Sequence, residues 1–161
     1  MNKTLASLCL AAVVAAAYAT SAAAVPRNSQ ILAGVNAQRR AHGLRRVVPD
    51  PRLAAAARAH SLEMLAHGYF DHDSANGTAF WRRVESFYGP WSVGEILLSV
   101  SPDVSARFAV RTWMRSREHR AEILNPRWRQ VGVSALHVPV APGIFEGGPV
   151  TVITVDFGAR G

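Results

Sequence analysis

Cysteine is almost missing from this chain of 161 residues: Cys9 is the only one, and it lies in an apolar stretch near the start. From Val25 onward no disulfide can form, so a core of ordinary apolar packing has to hold the fold. Lysine is as rare. Lys3 is the sole example, and the other seventeen of the eighteen basic residues are arginine. The local motifs H-E-x-x-H, C-x-x-C and G-x-S-x-G are all absent, which excludes a ready-made zinc helix, a dithiol pair and a nucleophile elbow. Long apolar runs are missing too. Leu5 to Ala19 is the one candidate, and it falls short of the roughly 20 residues that span a bilayer comfortably.

That run fits a different purpose. A basic start (Met1 to Lys3), an apolar stretch and the small-residue end SAAA (Ser21 to Ala24) make a secretory signal peptide over residues 1–24, cut after Ala24. The residues before Cys9 (ASL) lack the small residue expected before a lipidated cysteine, so a lipoprotein is rejected. The expectation is one exported domain over residues 25–161, secreted or periplasmic, with no membrane span after cleavage.

The net charge is +7. Arginine in place of lysine suits bidentate recognition of phosphate or carboxylate, although a composition bias of the source genome accounts for the choice as well. The arginines are not interleaved with aromatics as in single-strand binders, so nucleic acid is not the expected partner. A lipid or an anionic component of a cell envelope is.

Helical periodicity and caps organise the first two thirds. Ile31 to Ala41 reads as a helix stopped at Gly43. Asp50 and Pro51 cap and open a second helix, which ends at Gly68. DHDSANG (Asp71 to Gly77) is turn chemistry, followed by a helix through Phe80, Trp81, Val84 and Phe87. Ser101-Pro102-Asp103 is expected to open the next helix, with Trp113 and Met114 on its apolar face, and Ser116 to cap a short one running to Leu124. Gln130 to His137 and Val150 to Phe157 alternate and are rich in Val, Ile and Thr, so they read as strands joined by a long loop, VPVAPGIFEGGP. The pattern is α+β, helices first and strands last.

Three segments carry residues able to form a site: His72 in FDHDS, Glu95 in VGEIL and His119 in WMRSREHR. Two imidazoles and a carboxylate can make a first shell for zinc, or a His-Glu hydrogen-bond network with no metal. His60, on the apolar face of its helix, reads instead as a core residue bonded to a backbone carbonyl.

The order of these pieces resembles one family. N-x-x-R-x-x-x-G-L (Asn36 to Leu44), A-x-x-H-S-x-x-M (Ala57 to Met64), F-x-H (Phe70 to His72) and G-E (Gly94, Glu95) are followed by W-x-x-S-x-x-H-R-x-x-I-L-N-P (Trp113 to Pro126), V-G-V (Val131 to Val133) and D-F-G (Asp156 to Gly158). Together they are similar to the CAP superfamily of cysteine-rich secretory, antigen 5 and pathogenesis-related proteins, in its bacterial exported branch. The resemblance implies a three-layer α-β-α sandwich with a small, mostly antiparallel central sheet. It also implies an open cavity of two His and two Glu that can hold Zn²⁺ or another divalent metal. His72, Glu95 and His119 match three of the four positions. The fourth, the glutamate of W-x-x-E, is Ser116 here, which leaves Ser116 and Glu118 as rim candidates; adjacent helix positions point Glu118 away from His119. Three functions stay open: a non-enzymatic binding module, a zinc-dependent hydrolase with Glu95 as its candidate base, and a structural His-Glu cluster without ligand.

Overall fold

In the computed structural model, residues 26–160 are described; the stretch read as a signal, with its cut after Ala24, lies outside them. Helix α1 spans Arg27–Ala41, four residues longer at its start than the apolar pattern. A two-residue strand, β1 (Val48–Pro49), leads into α2, Pro51–His67. The Asp50 carboxylate accepts the amides of Arg52 at 2.8 Å and Leu53 at 3.4 Å, satisfying two donors that a helix start leaves unpaired. Gly68, in the left-handed conformation, ends this helix. Helix α3 (Phe80–Tyr88), strand β2 (Ser92–Val100), helices α4 (Ala106–Arg115) and α5 (Arg117–Ile123), and strands β3 (Gln130–Val138) and β4 (Val150–Ala159) follow.

The sheet order is β1-β3-β4-β2, with β1 parallel to β3 and the other two pairings antiparallel. β4 lies in the middle and is buried along its length. Its residues alternate between two helical layers, as a strand's period of two requires. Ile153, Val155 and Phe157 pack with Ile31, Val35, Val110 and Trp113 of α1 and α4. Val152 packs with Met64 and Leu65 of α2, and the Thr154 hydroxyl meets that of Ser61, also on α2, at 2.9 Å. The three-layer sandwich implied by the resemblance is therefore the architecture found. Gly132 makes the α2 side possible: a Cβ there would sit 2.0 Å from the Leu53 carbonyl carbon, so any other residue would push the helix off the sheet.

Two expectations need correcting. The chain is not helices first and strands last, because β2 lies in its middle. β2 escaped the alternation test because Ile96 and Leu97 are buried on opposite faces, so the run is continuously apolar. Helix α4 also begins later than Ser101. The Asp103 carboxylate turns instead to the Val104 amide (2.7 Å), the Thr151 hydroxyl (2.7 Å) and Arg27 (2.9 Å), and Ser105 caps the helix by accepting Phe108 N–H at 3.2 Å. In the loop before β4, Phe145 packs on the α2 side of the sheet while Ile144 stays exposed.

Candidate functional site

β2 is an outer strand, and a cleft of about 390 Å³ opens against it. Leu97, Leu98 and Ser99 of β2 face Phe70, Asp71 and His72 from the loop after α2, and His119 from α5. The two imidazoles reach this edge from opposite sides of the sheet.

The loop bearing His72 is tied down by α2. His60, fully buried, donates from Nε2 to the Asp71 carbonyl at 2.8 Å, as its place on the apolar face suggested. Glu63 accepts the Tyr69 hydroxyl at 2.9 Å and the Ala75 amide at 3.2 Å. Arg83 of α3 donates to the His72 carbonyl at 2.8 Å. With its backbone so fixed, His72 places Nδ1 2.9 Å from Glu95 Oε1, while the other oxygen of Glu95 takes the Arg83 guanidinium at 2.5 Å. Glu95 is thus a buried carboxylate shared by an arginine and a histidine. Directly across the ladder from Glu95 is Asp156 of β4, fully buried, with neither oxygen hydrogen-bonded among the described residues. Burial raises the Asp156 carboxyl well above the usual carboxylate range, and the neighbouring Glu95 charge adds to this.

The two imidazoles titrate in opposite directions. The hydrogen bond to Glu95 raises His72, helped by the charges of Glu95 and Asp71 and opposed by burial and Arg83. Burial lowers His119, and the His72 charge lowers it further. Between the two values the cleft holds one cationic and one neutral imidazole.

The sequence-predicted residues separate into two groups. His72 and Glu95 touch, and His119 lines the same cleft as His72. Ser116 is the N-cap of α5, accepting His119 N–H at 3.4 Å, and Glu118 points to solvent beside Arg117; neither lines the cleft. Arg83, Asp156 and Glu122 went unassigned. Glu122 lies one turn beyond His119, half-buried, and accepts Trp128 Nε1–H at 3.2 Å. Burial raises its carboxyl pKa, against the pull of the His72 charge. Gly94 leaves room for it: a Cβ there would lie 2.6 Å from Glu122 Oε2. The i,i+3 spacing of His119 and Glu122 was a readable signal. The pairing of Arg83 with Glu95 was not, because it joins α3 to β2.

For the divalent metal that the family implies, the donor set is short. Catalytic zinc sites use three protein ligands, and among the described residues no three His, Cys, Asp or Glu side chains come together in a way that could hold an ion. Glu95 has both oxygens engaged by protein, leaving two imidazoles to face the cleft.

Comparison with known proteins accords with the architecture. The model of the cysteine-rich secretory protein family, CAP, matches residues 32–142. The chain belongs to the CAP family. This CAP chain is 33% identical over 99 residues to the uncharacterized protein YkwD of Bacillus subtilis, covering 61% of itself and 38% of that longer protein. Among solved structures, it resembles an extracellular protein containing a SCP domain from Bacillus anthracis, with TM-score 0.67, 24% identity, and coverage of 83% of this chain and 40% of that one. It also resembles an outer surface protein of Borrelia burgdorferi, with TM-score 0.66, 17% identity and coverage of 85% and 97%. At these identities the structural likenesses speak for the fold. Among the described residues, no helix of this CAP chain is long and apolar enough to cross a membrane.

Proposed function

We propose that this CAP protein is an exported, non-enzymatic binding module whose β2 cleft takes a small anionic ligand with an apolar portion. Export is supported by the signal-like start and by relatives named as extracellular or outer-surface proteins. The observation that carries the binding reading is the engagement of Glu95. With one oxygen on Arg83 and the other on His72, it is neither a free base nor a free ligand, and its work is to hold His72 in a charged, oriented state. Leu97, Leu98 and Phe70 supply an apolar floor, and His72 supplies the cation. The arrangement suits a carboxylate or phosphate on a short aliphatic body, as a lipid fragment or an envelope constituent would present.

The test is calorimetric titration of the purified protein at pH 6 with octanoate, octyl phosphate and octanol, beside a His72→Ala/His119→Ala variant. Binding of the two anions, weaker binding of the alcohol, and loss in the variant are expected. Equal binding of all three, or binding unchanged in the variant, would overturn the reading. Zinc run in parallel tests the family's metal: micromolar binding abolished in the variant would establish a metal site in place of the anion site proposed.

A further inference from the structure

A second feature of the chain lies outside the cleft. Residues 39–46 and 120–129 contain seven arginines and a single acid, Glu122, which turns inward to Trp128. One of the seven, Arg39, is fully buried and ties the two segments together. Its Nε donates to the Arg45 carbonyl (2.8 Å), Nη1 to the carbonyls of Ile123 (2.7 Å) and Asn125 (2.9 Å), and Nη2 to that of Trp128 (3.4 Å). The other six, Arg40, Arg45, Arg46, Arg120, Arg127 and Arg129, are exposed around it. Arg120 reaches across to His42 at 3.1 Å, Arg129 folds onto the Arg127 carbonyl at 3.0 Å, and its own carbonyl accepts Val48 N–H at 2.9 Å, which sets it beside Arg46.

Of the ten other arginines, half have anionic company among the described residues, and Arg58, Arg82, Arg107, Arg111 and Arg115 do not. Arg27, Arg52, Arg83, Arg117 and Arg160 each pair with a carboxylate. Among the described residues none of the six does, and the guanidiniums of Arg40, Arg45, Arg46 and Arg127 make no hydrogen bond. A bias of composition explains arginine in place of lysine. It does not explain why six exposed guanidiniums gather around one buried one with a single, inward-turned acid, where like charges repel and the compact state bears the cost. Uncompensated guanidinium forks are suited to phosphate, which each can grip through two donors.

We infer that this corner is a docking surface for a flexible polymer bearing repeated phosphate groups, with neither bases nor acyl chains. Bases are disfavoured because the one aromatic side chain in the patch, Trp128, is buried and stacks on Phe157, which leaves no platform for them. A bilayer is disfavoured because the exposed aromatics Trp81, Phe87, Trp91 and Phe108 lie on other segments, and Val48 alone borders the patch as an apolar side chain able to insert. The surface is independent of the cleft. One site would anchor the protein on a polyanion while the other remains open for its ligand.

The experiment measures affinity for sodium polyphosphate as a function of salt. It compares the full chain with an Arg40→Gln/Arg45→Gln/Arg46→Gln/Arg127→Gln variant and with a control of equal charge loss, Arg58→Gln/Arg82→Gln/Arg107→Gln/Arg111→Gln. Thermal melts check that all three fold. The patch variant should bind on the order of 100-fold more weakly at low salt, with a flatter salt dependence; the control should lose less than about 5-fold. The His72→Ala/His119→Ala protein should bind polyphosphate normally, which separates failure here from failure of the cleft reading. Equal losses in the two arginine variants would overturn the assignment, as would no binding by the unaltered protein at low salt. Tighter binding to phosphatidylglycerol vesicles or to single-stranded DNA at equal phosphate concentration would replace the polymer by a different partner.

Discussion

Among the described residues two arginines are buried, and they are accommodated in different ways. Arg83, beside the cleft, is 8% exposed and faces a carboxylate, Glu95; Arg39, at the opposite layer's corner, is fully buried and bonded to four main-chain carbonyls. The first is neutralised by charge and the second by peptide dipoles. Charge neutralisation makes the Arg83 neighbourhood a titrating system, because the Glu95 charge raises both Asp156 and His72, and the His72 charge in turn lowers His119. Dipole solvation satisfies Arg39 without a titrating partner, and leaves its positive charge uncancelled for the surface around it. A buried guanidinium can therefore serve a responsive site or a permanently charged one, according to what satisfies it.

The sharpest way to break that contrast is at Arg39. Arg39→Met strips four carbonyl acceptors of their donor and separates α1 from the α5–β3 connection; urea unfolding should show a loss of about 3–5 kcal/mol. Arg39→Lys should recover less than half of it, since one ammonium cannot reach acceptors spread over a planar fork.

At Arg83 the partner can be removed instead. Glu95→Gln leaves a buried guanidinium facing an amide, and about 3 kcal/mol is expected to be lost. Asp156→Asn should cost less than about 1 kcal/mol, because neither oxygen it replaces has a hydrogen-bond partner among the described residues to lose. The double variant should be worse than the sum of the two. In Glu95→Gln alone, Asp156 is free to ionise and replace the missing anion; in the double variant it cannot. Additive losses would show that Asp156 has no such reserve role.

The smallest effect is read by titration. In NMR spectra, His72 should titrate above the ordinary imidazole value of about 6.5 and His119 below it. The signs for stability are opposite. The raised His72 contributes stability that is complete below the unfolded value and is lost as pH rises through the folded one. The lowered His119 contributes none above that range and costs stability as pH falls below the unfolded value. Glu95→Gln should bring His72 down, whereas Glu118→Gln should leave His72 where it was and lower His119 slightly, by removing a nearby negative charge.

Much of this was legible in the chain itself, for identifiable reasons. Asp50, Gly68 and Ser116 act within a few residues of themselves, so their capping roles could be read directly, and the ordered family motifs pointed to the layers and to His72, Glu95 and His119. What escaped depends on contacts between distant elements. β2 is covered on both faces and so lost its alternation, and Asp156 was visible within D-F-G but acquires its meaning only by standing opposite Glu95. Arg83 and Glu122 looked like ordinary helix-surface residues until α3 and α5 were folded against β2. Arg39 was one arginine among many; only the fold distinguishes the buried hub from the exposed ring.

The central place of β4 bears on how the cleft comes into being. Among the described residues β2 pairs with β4 alone, and the pairing runs from Val100↔Thr151 to Ser92↔Ala159. During synthesis, the helices and the loop carrying His72 emerge long before the strand on which Glu95 depends for its place. Such widely separated pairings form late, after the long intervening loop has closed. The two walls of the cleft therefore cannot be brought to their working separation until residues 150–159 have been made. A nascent chain can be largely helical and still have no pocket.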